Sequence, residues 1–173
     1  VLNKVQKVGL QYFDDIQKRI PRDEIDEYKD IFEQVFSSLP EHEKSKFEIV
    51  GSYRRGVKSS GDIDVIVTSP TDAIFKKFID KLIEDKIIIE VLSRGNTKSL
   101  VIAKLPHSKI ARRVDFLYST PDEYPFSILY FTGSKIFNTV MRGRALKLGY
   151  SLNEHGLHSM DGKKKGKKID KTF

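Results

Sequence analysis

The sequence predicts an α+β fold: a mixed β-sheet packed by helices, followed by a small helical subdomain. Three observations carry this. Short apolar-rich segments recur at 47–50, 62–68, 87–92, 98–104 and 112–118 and read as strands, with the apolar–polar alternation of half-buried strands clearest at 62–68 and 112–118. Two segments between them, 25–39 and 74–83, place apolar residues at helical spacing instead. After Pro121 the alternation stops and helical patterns take over. A boundary is therefore expected near there, with residues 1–120 forming the sheet subdomain and 121–173 the smaller one.

The elements follow in order. Val5, Val8, Tyr12 and Ile16 suggest a first helix within 4–18. Pro21 opens a second, whose stripe is Ile25, Tyr28, Phe32, Val35, Phe36 and Leu39. Asp23, Glu24, Asp26 and Glu27 in its first turn suit the positive end of a helix dipole. Phe47–Val50 reads as a strand running into a loop at Gly51, and Asp62–Thr68 as the next strand. Pro70-Thr71 starts a helix with Ile74, Phe75, Phe78, Ile79, Leu82 and Ile83 inward. Three further strands follow. Beyond Pro121, Ser127–Phe131 reads as a short helix ending at Thr132-Gly133, and Ser134–Leu148 as a longer one stopped by Gly149. The lysine-rich end, Asp161–Phe173, reads as a mobile basic loop or tail.

Composition narrows the class. The 173 residues are 39% hydrophobic and 32% charged, which suits a soluble chain with a real core. The absence of cysteine excludes disulfides and thiolate metal sites. No apolar run approaches the roughly 20 residues of a membrane span, and the first residues lack a signal-peptide core. Residues 1–50 carry 8 Lys+Arg against 11 Asp+Glu, whereas residues 51–173 carry 23 against 13. That basic excess fits either a nucleic-acid partner or generic solubility.

The chemistry concentrates in Gly51-Ser52-Tyr53-Arg54-Arg55-Gly56-Val57-Lys58-Ser59-Ser60-Gly61-Asp62-Ile63-Asp64. Asp62 and Asp64 leave the same face of a strand, roughly 6–7 Å apart at Cα. Two carboxylates beside a basic, glycine-flanked loop suit metal-dependent phosphoryl transfer. Two divalent cations about 3.5–4 Å apart need more than two aspartates. Asp115, in Arg112-Arg113-Val114-Asp115-Phe116-Leu117-Tyr118, supplies a third, or pairs with Arg112. Hard oxygen donors select magnesium or manganese. Tyr130 and Phe131 are either core aromatics or the wall of a pocket. Asn138 and Arg142 stand i and i+4 on one helix face. His155 and His158 have no acidic or cysteine partner set and read as turn and surface histidines.

Gly-Ser, nine residues, then Asp-x-Asp resembles the nucleotidyltransferase superfamily. Together with Tyr130-Phe131-Thr132-Gly133-Ser134, Ile136-Phe137-Asn138 and Ser151-Leu152-Asn153-Glu154-His155-Gly156-Leu157, it resembles the family X DNA polymerases, the group of polymerases beta and lambda. The likeness runs from Gly9 to Leu157. It implies a nucleotidyltransferase palm followed by part of a nucleotide-binding subdomain. It implies an enzyme adding deoxynucleotides to a primer 3′-OH, as in short-gap repair synthesis. Its partners would be gapped or primed DNA and deoxynucleoside triphosphates, and its cofactors two magnesium ions, with manganese able to substitute.

By the same resemblance, Asp62, Asp64 and Asp115 hold the metals. Arg19, Ser52, Arg55, Ser60 and Gly61 hold the triphosphate. Tyr130, Phe131 and Gly133 pack on the deoxyribose, Asn138 meets the nascent base, Arg142 the template strand and Arg113 the primer end. Lys135 stands where polymerase beta has an acid, and Leu117 where it has an arginine used in switching between forms. A template-independent relative carries tryptophan in the Tyr130-Phe131 signature, so these residues argue against that reading. A template-independent or RNA-directed nucleotidyltransferase, and a truncated DNA-end-binding module with little activity, are the competing readings. No lyase domain or helix-hairpin-helix clamp of the family is legible, and the end of the second subdomain is expected beyond Phe173. A monomer inside the cell, in the nucleus if the source is eukaryotic, is the matching expectation.

Overall fold

The computed structural model describes residues 1–161 and 164–169. Helix α1 (Lys4–Gln11) starts at Asn3, whose side chain accepts from the Gln6 N–H while the Gln6 side chain accepts from the Asn3 N–H. This reciprocal cap satisfies two otherwise orphaned donors. The single helix expected over 4–18 is two: Tyr12 leaves helical geometry and α2 (Phe13–Gln17) follows. The break lets the Asp15 carboxylate accept from the Ala111 N–H at 3.0 Å, while Tyr12 and Ile16 pack with Val8, Ile102 and Ala111.

Strand β1 (Ile20–Pro21) pairs with β3 (Ser59–Ser60). Pro21 caps α3 (Arg22–Ser37), as the sequence predicts. The main sheet is built from β2 (Lys46–Ile49), β4 (Ile63–Thr68), β5 (Ile88–Arg94), β6 (Lys98–Ala103) and β7 (Arg112–Ser119), in the order β2-β4-β7-β6-β5. β4 and β7 run parallel and the other neighbours antiparallel. Helix α4 (Gly51–Arg54) replaces the loop expected after β2, and α5 (Ala73–Glu84) follows β4.

The strand period sorts the sheet into two faces. Ile63, Val65, Val67, Val114 and Phe116 face α3 and α5 and are fully buried. There Phe116 meets Phe32 and Phe78 with ring centroids 5.6 and 5.8 Å apart, edge to face, the geometry aromatic quadrupoles favour. Asp64, Asp115 and Leu117 occupy the opposite face. The greasy side of the sheet thus fixes the backbone from which the carboxylates project.

The second subdomain has helices α6 (Tyr124–Thr132) and α7 (Lys135–Lys147), the latter capped by the Ser134 hydroxyl, which accepts from the Phe137 N–H. It is not purely helical. β8 (Tyr150–Asn153), β9 (Gly156–Asp161) and β10 (Lys164–Lys168) form an antiparallel sheet in the order β10-β9-β8. The stretch expected as a mobile tail is therefore in part the edge strand β10. Lys163 and Lys171 of that stretch lie outside the described residues. Charge divides sharply here: residues 1–123 hold 21 Lys+Arg and 21 Asp+Glu, so the chain's entire +7 lies from Tyr124 onward. No described helix is long and apolar enough to cross a membrane.

Candidate active site

Asp64 and Asp115 are register partners on the parallel strands β4 and β7, and Asp62 precedes β4 by one residue. One carboxylate oxygen from each of Asp62, Asp64 and Asp115 lies within 4.8 Å of the others. The parallel pairing creates this cluster: it puts two residues 51 positions apart side by side on one face. Burial, then the charges of Asp62 and Asp115, push the Asp64 carboxyl up to about 7. Asp115 is raised chiefly by burial, against the pull of Arg113. The Arg113 guanidinium reaches both Asp115 oxygens at 3.3 Å.

Gly51 makes room for the cluster. Its φ is +64°, and a Cβ there would stand 2.6 Å from Asp64 Oδ2. That contact is closer than any real side chain tolerates, so only glycine leaves the carboxylate where it is. The loop that follows gathers the hydroxyls. Ser52 Oγ donates to Ser60 Oγ at 2.6 Å. Arg19 donates to the Ser59 hydroxyl and carbonyl at 3.2 and 2.8 Å, and its guanidinium lies 3.5 Å from where a Gly61 Cβ would be. Arg19, Ser52, Ser60 and Gly61 therefore share one neighbourhood.

Arg55, which ends α4, donates to the Thr132 carbonyl at 2.7 Å beside Gly133. Tyr130 and Phe131 are edge to face with centroids 5.0 Å apart, but their rings serve different hollows. Tyr130 shares a small pocket with Asn138 and Arg142. Phe131 lines a cavity of about 310 Å³ with Lys98, Leu117 and His155. The Asn138 amide donates to the Tyr130 carbonyl at 2.7 Å, and the Arg142 guanidinium sits 5.9 Å from the Tyr130 ring.

Comparison with known proteins matches residues 19–121 to the DNA polymerase beta palm and residues 127–171 to the DNA polymerase beta thumb. The chain belongs to the family X DNA polymerases. It is 34% identical to DNA polymerase lambda of Arabidopsis thaliana over 93% of this chain and 34% of that protein. It is 33% identical to DNA polymerase lambda of Rattus norvegicus, over 90% of this chain and 29% of that protein. It is 31% identical to DNA polymerase/3'-5' exonuclease PolX of Bacillus subtilis (strain 168), over 67% and 19%. The chain thus spans about a third or less of the length of these relatives.

Family X polymerases are metal-dependent, and this family X palm offers a fitting donor set. All three ligands are hard carboxylate oxygens, close enough to share cations. Asp64 is raised by burial first and by the charges of Asp62 and Asp115 second, and bound cations would relieve the repulsion among the three.

One ion pair differs from the sequence reading. Arg112 is not the partner of Asp115; Arg113 is. Residues 113 and 115 share a strand face, while Arg112 points the other way, into a buried pair with Glu24 at 2.5 and 3.2 Å. Arg112 also donates to the Lys18 and Arg19 carbonyls at 3.2 Å, so it anchors the segment that presents Arg19. Period two held the signal for this. His155 bridges Glu123 and Glu154 at the surface. His158 is not a plain surface histidine: its Nδ1 is buried, and burial, then Lys165 and Lys168, lower its pKa. Arg54, which the sequence reading left without a role, donates to the Thr132 hydroxyl at 3.1 Å.

Proposed function

We propose that this chain carries DNA-directed DNA polymerase activity: it joins the α-phosphate of a deoxynucleoside triphosphate to a primer 3′-hydroxyl and releases pyrophosphate, filling short gaps during repair. The observation that carries this reading is the convergence of Asp62, Asp64 and Asp115 beside the Ser52–Gly61 loop. Asp62 and Asp64 would hold two magnesium ions and Asp115 one of them; manganese could substitute. When bound, the cations stabilise charge on the transferring phosphate and the leaving pyrophosphate.

The remaining roles belong to side chains. Ser52, Ser60 and the Gly61 backbone, with Arg19 and Arg55, bind the triphosphate; guanidinium forks match phosphate oxygens. Tyr130, Phe131 and Gly133 pack on the deoxyribose. Asn138 reads the nascent base edge and Arg142 the template strand, while Arg113 steadies the primer end. The partners are gapped or primed DNA and deoxynucleoside triphosphates. The protein acts as a monomer, in the nucleus if its source is eukaryotic. Residues 1–120 act as the catalytic palm and residues 121–173 as the nucleotide-binding subdomain.

The test is extension of a labelled primer in gapped duplex DNA by the purified chain, with magnesium and with chelator. Magnesium-dependent, template-matched addition of deoxynucleotides is the expected result. Addition that ignores the template would favour a different nucleotidyltransferase. DNA binding without any extension would favour a non-catalytic end-binding module.

A further inference from the structure

Thr132 ends α6 and is held from the palm side by two consecutive arginines. Arg54 Nη1 donates to its hydroxyl at 3.1 Å, and Arg55 Nη1 to its carbonyl at 2.7 Å. The negative end of a helix dipole favours such cations. From the other side, the Asn138 amide holds the Tyr130 carbonyl at 2.7 Å. The turn that follows, Gly133-Ser134, is therefore pinned between α4 and α7. A Cβ on Gly133 would sit 3.1 Å from Arg55 Nη1, so guanidinium and turn are already in close contact. α4 also carries Ser52. One short helix thus spaces the phosphate loop and the 130–133 turn from each other.

We infer that Arg54 is a specificity-determining positioning residue: by fixing Thr132, it sets the height of the Tyr130–Gly133 turn and thereby the choice between deoxyribose and ribose. The inference rests on the sugar-packing role proposed above for that turn. Arg54 touches no reacting group in this reading; it acts through Thr132. Arg55 binds the phosphates as well, so it cannot report on the turn alone. Arg54 can. It is exposed, and its other ion pair, to Glu48 at 3.4 Å, is exposed too. Exposed pairs contribute little to stability, whereas misplacing a substrate-contacting group by an ångström is costly. Removing Arg54 should therefore move sugar choice much more than it moves folding.

The experiment compares kcat/KM for deoxy- and ribonucleoside triphosphates on gapped DNA with magnesium. It uses the unmodified chain, Arg54→Ala, Thr132→Val and the double variant, with thermal melting of each. The expected result is a loss of discrimination of about tenfold in Arg54→Ala, the worth of one charge-assisted hydrogen bond. Thr132→Val keeps the side-chain shape and removes the acceptor, so it should lose a similar factor. The double variant should lose no more than either single one, because both remove the same bond. Equal slowing for both sugars, with the ratio unchanged, would mark the contact as structural only and overturn the inference. If Arg54→Ala fails to fold, Thr132→Val alone decides by the same ratio. If the unmodified chain adds neither sugar, or both equally, the sugar-packing reading itself has failed and the inference falls with it.

Discussion

The two halves of this chain solve stability in different ways. In the palm half, α3 and α5 close over one face of the sheet, and Phe32, Phe36, Phe47, Phe78 and Phe116 interlock beneath them. That half is electrically neutral in sum. The thumb half buries little: among its described large apolar side chains only Phe126 belongs to the buried set, while Ile136, Val140, Leu146 and Leu148 are exposed, Ile136 at 78%. It carries the whole net positive charge. A rigid neutral platform therefore holds the carboxylates, and a thin, basic, apolar-faced layer is stacked against it. The lesson is that precision and contact are assigned to different parts. Carboxylates of like charge must be held still by a core, whereas a surface of the kind proposed to meet DNA can leave apolar and basic groups outside.

The sharpest way to break this contrast is at the carboxylates. Asp64→Ala should lower primer extension by at least about a thousandfold, the scale expected when metal-assisted catalysis is lost. Circular dichroism and melting should stay those of a folded protein. Extension near the unmodified rate would show that the cluster is not catalytic. Next in size comes the platform. Phe78→Ala removes a fully buried ring that touches four aromatic neighbours, so it should cost about 3–5 kcal/mol in urea unfolding. Val140→Ser, on the exposed face of α7, should cost no more than about 0.5 kcal/mol. Similar costs for the two would erase the distinction between the halves.

The third prediction uses pH. Burial and its two acidic neighbours raise Asp64 from 3.8 to about 7 in the folded chain. Folding therefore retains a proton that the unfolded chain releases above about pH 4. The stability linked to that proton is complete below about pH 4 and is lost as pH rises through about 7. In chelator, Asp64→Asn should be more stable than the unmodified chain at pH 8, by about 2–4 kcal/mol at 1.36 kcal/mol per pKa unit, and close to it at pH 4. Melting curves of both proteins at the two pH values test this. An equal difference at both would mean that Asp64 does not titrate as its surroundings require. Smaller still, Arg55→Ala should raise the apparent nucleotide constant by roughly 10- to 100-fold, from about 1.5–3 kcal/mol per charge-assisted contact. A steady-state titration with an unchanged constant would remove Arg55 from the triphosphate site.

Legibility followed local periodicity rather than the boundary between the halves. Helices α3 and α5 could be read because each has one apolar stripe, and β4 and β7 because Ile63, Val65 and Val67, like Val114 and Phe116, recur every second residue, although Ile66 on the opposite face of β4 is buried too. Asp62 and Asp64 were legible as a same-face pair for the same reason. That Asp115 joins them depends on the parallel pairing of β4 with β7, a register no local pattern contains. Strand β10 was missed because Lys164–Lys168 has no apolar alternation and little strand propensity; its pairing with β9 defines it. An edge position suits lysines, which discourage further strand addition. The break at Tyr12 was missed because the stripe of Val8, Tyr12 and Ile16 keeps helical spacing across it. The hold of Arg54 and Arg55 on Thr132 joins residues 77 and 78 positions apart, and nothing in either segment alone announces it.

The feature at Gly51 reaches beyond the geometry of one turn. A change there to alanine would leave every aspartate, arginine and serine of the site in the chain. The sheet core, which lies on the far face, would have no reason to fail. The methyl group would nonetheless occupy the space that Asp64 Oδ2 now fills, and the carboxylate would have to swing away. A survey that counts chemically active groups would score such a variant as intact. If the three aspartates hold cations as proposed, its defect would surface as a weakened grip on them in a protein that still folds. At this position the absence of an atom is as much a part of the proposed metal site as the oxygens themselves.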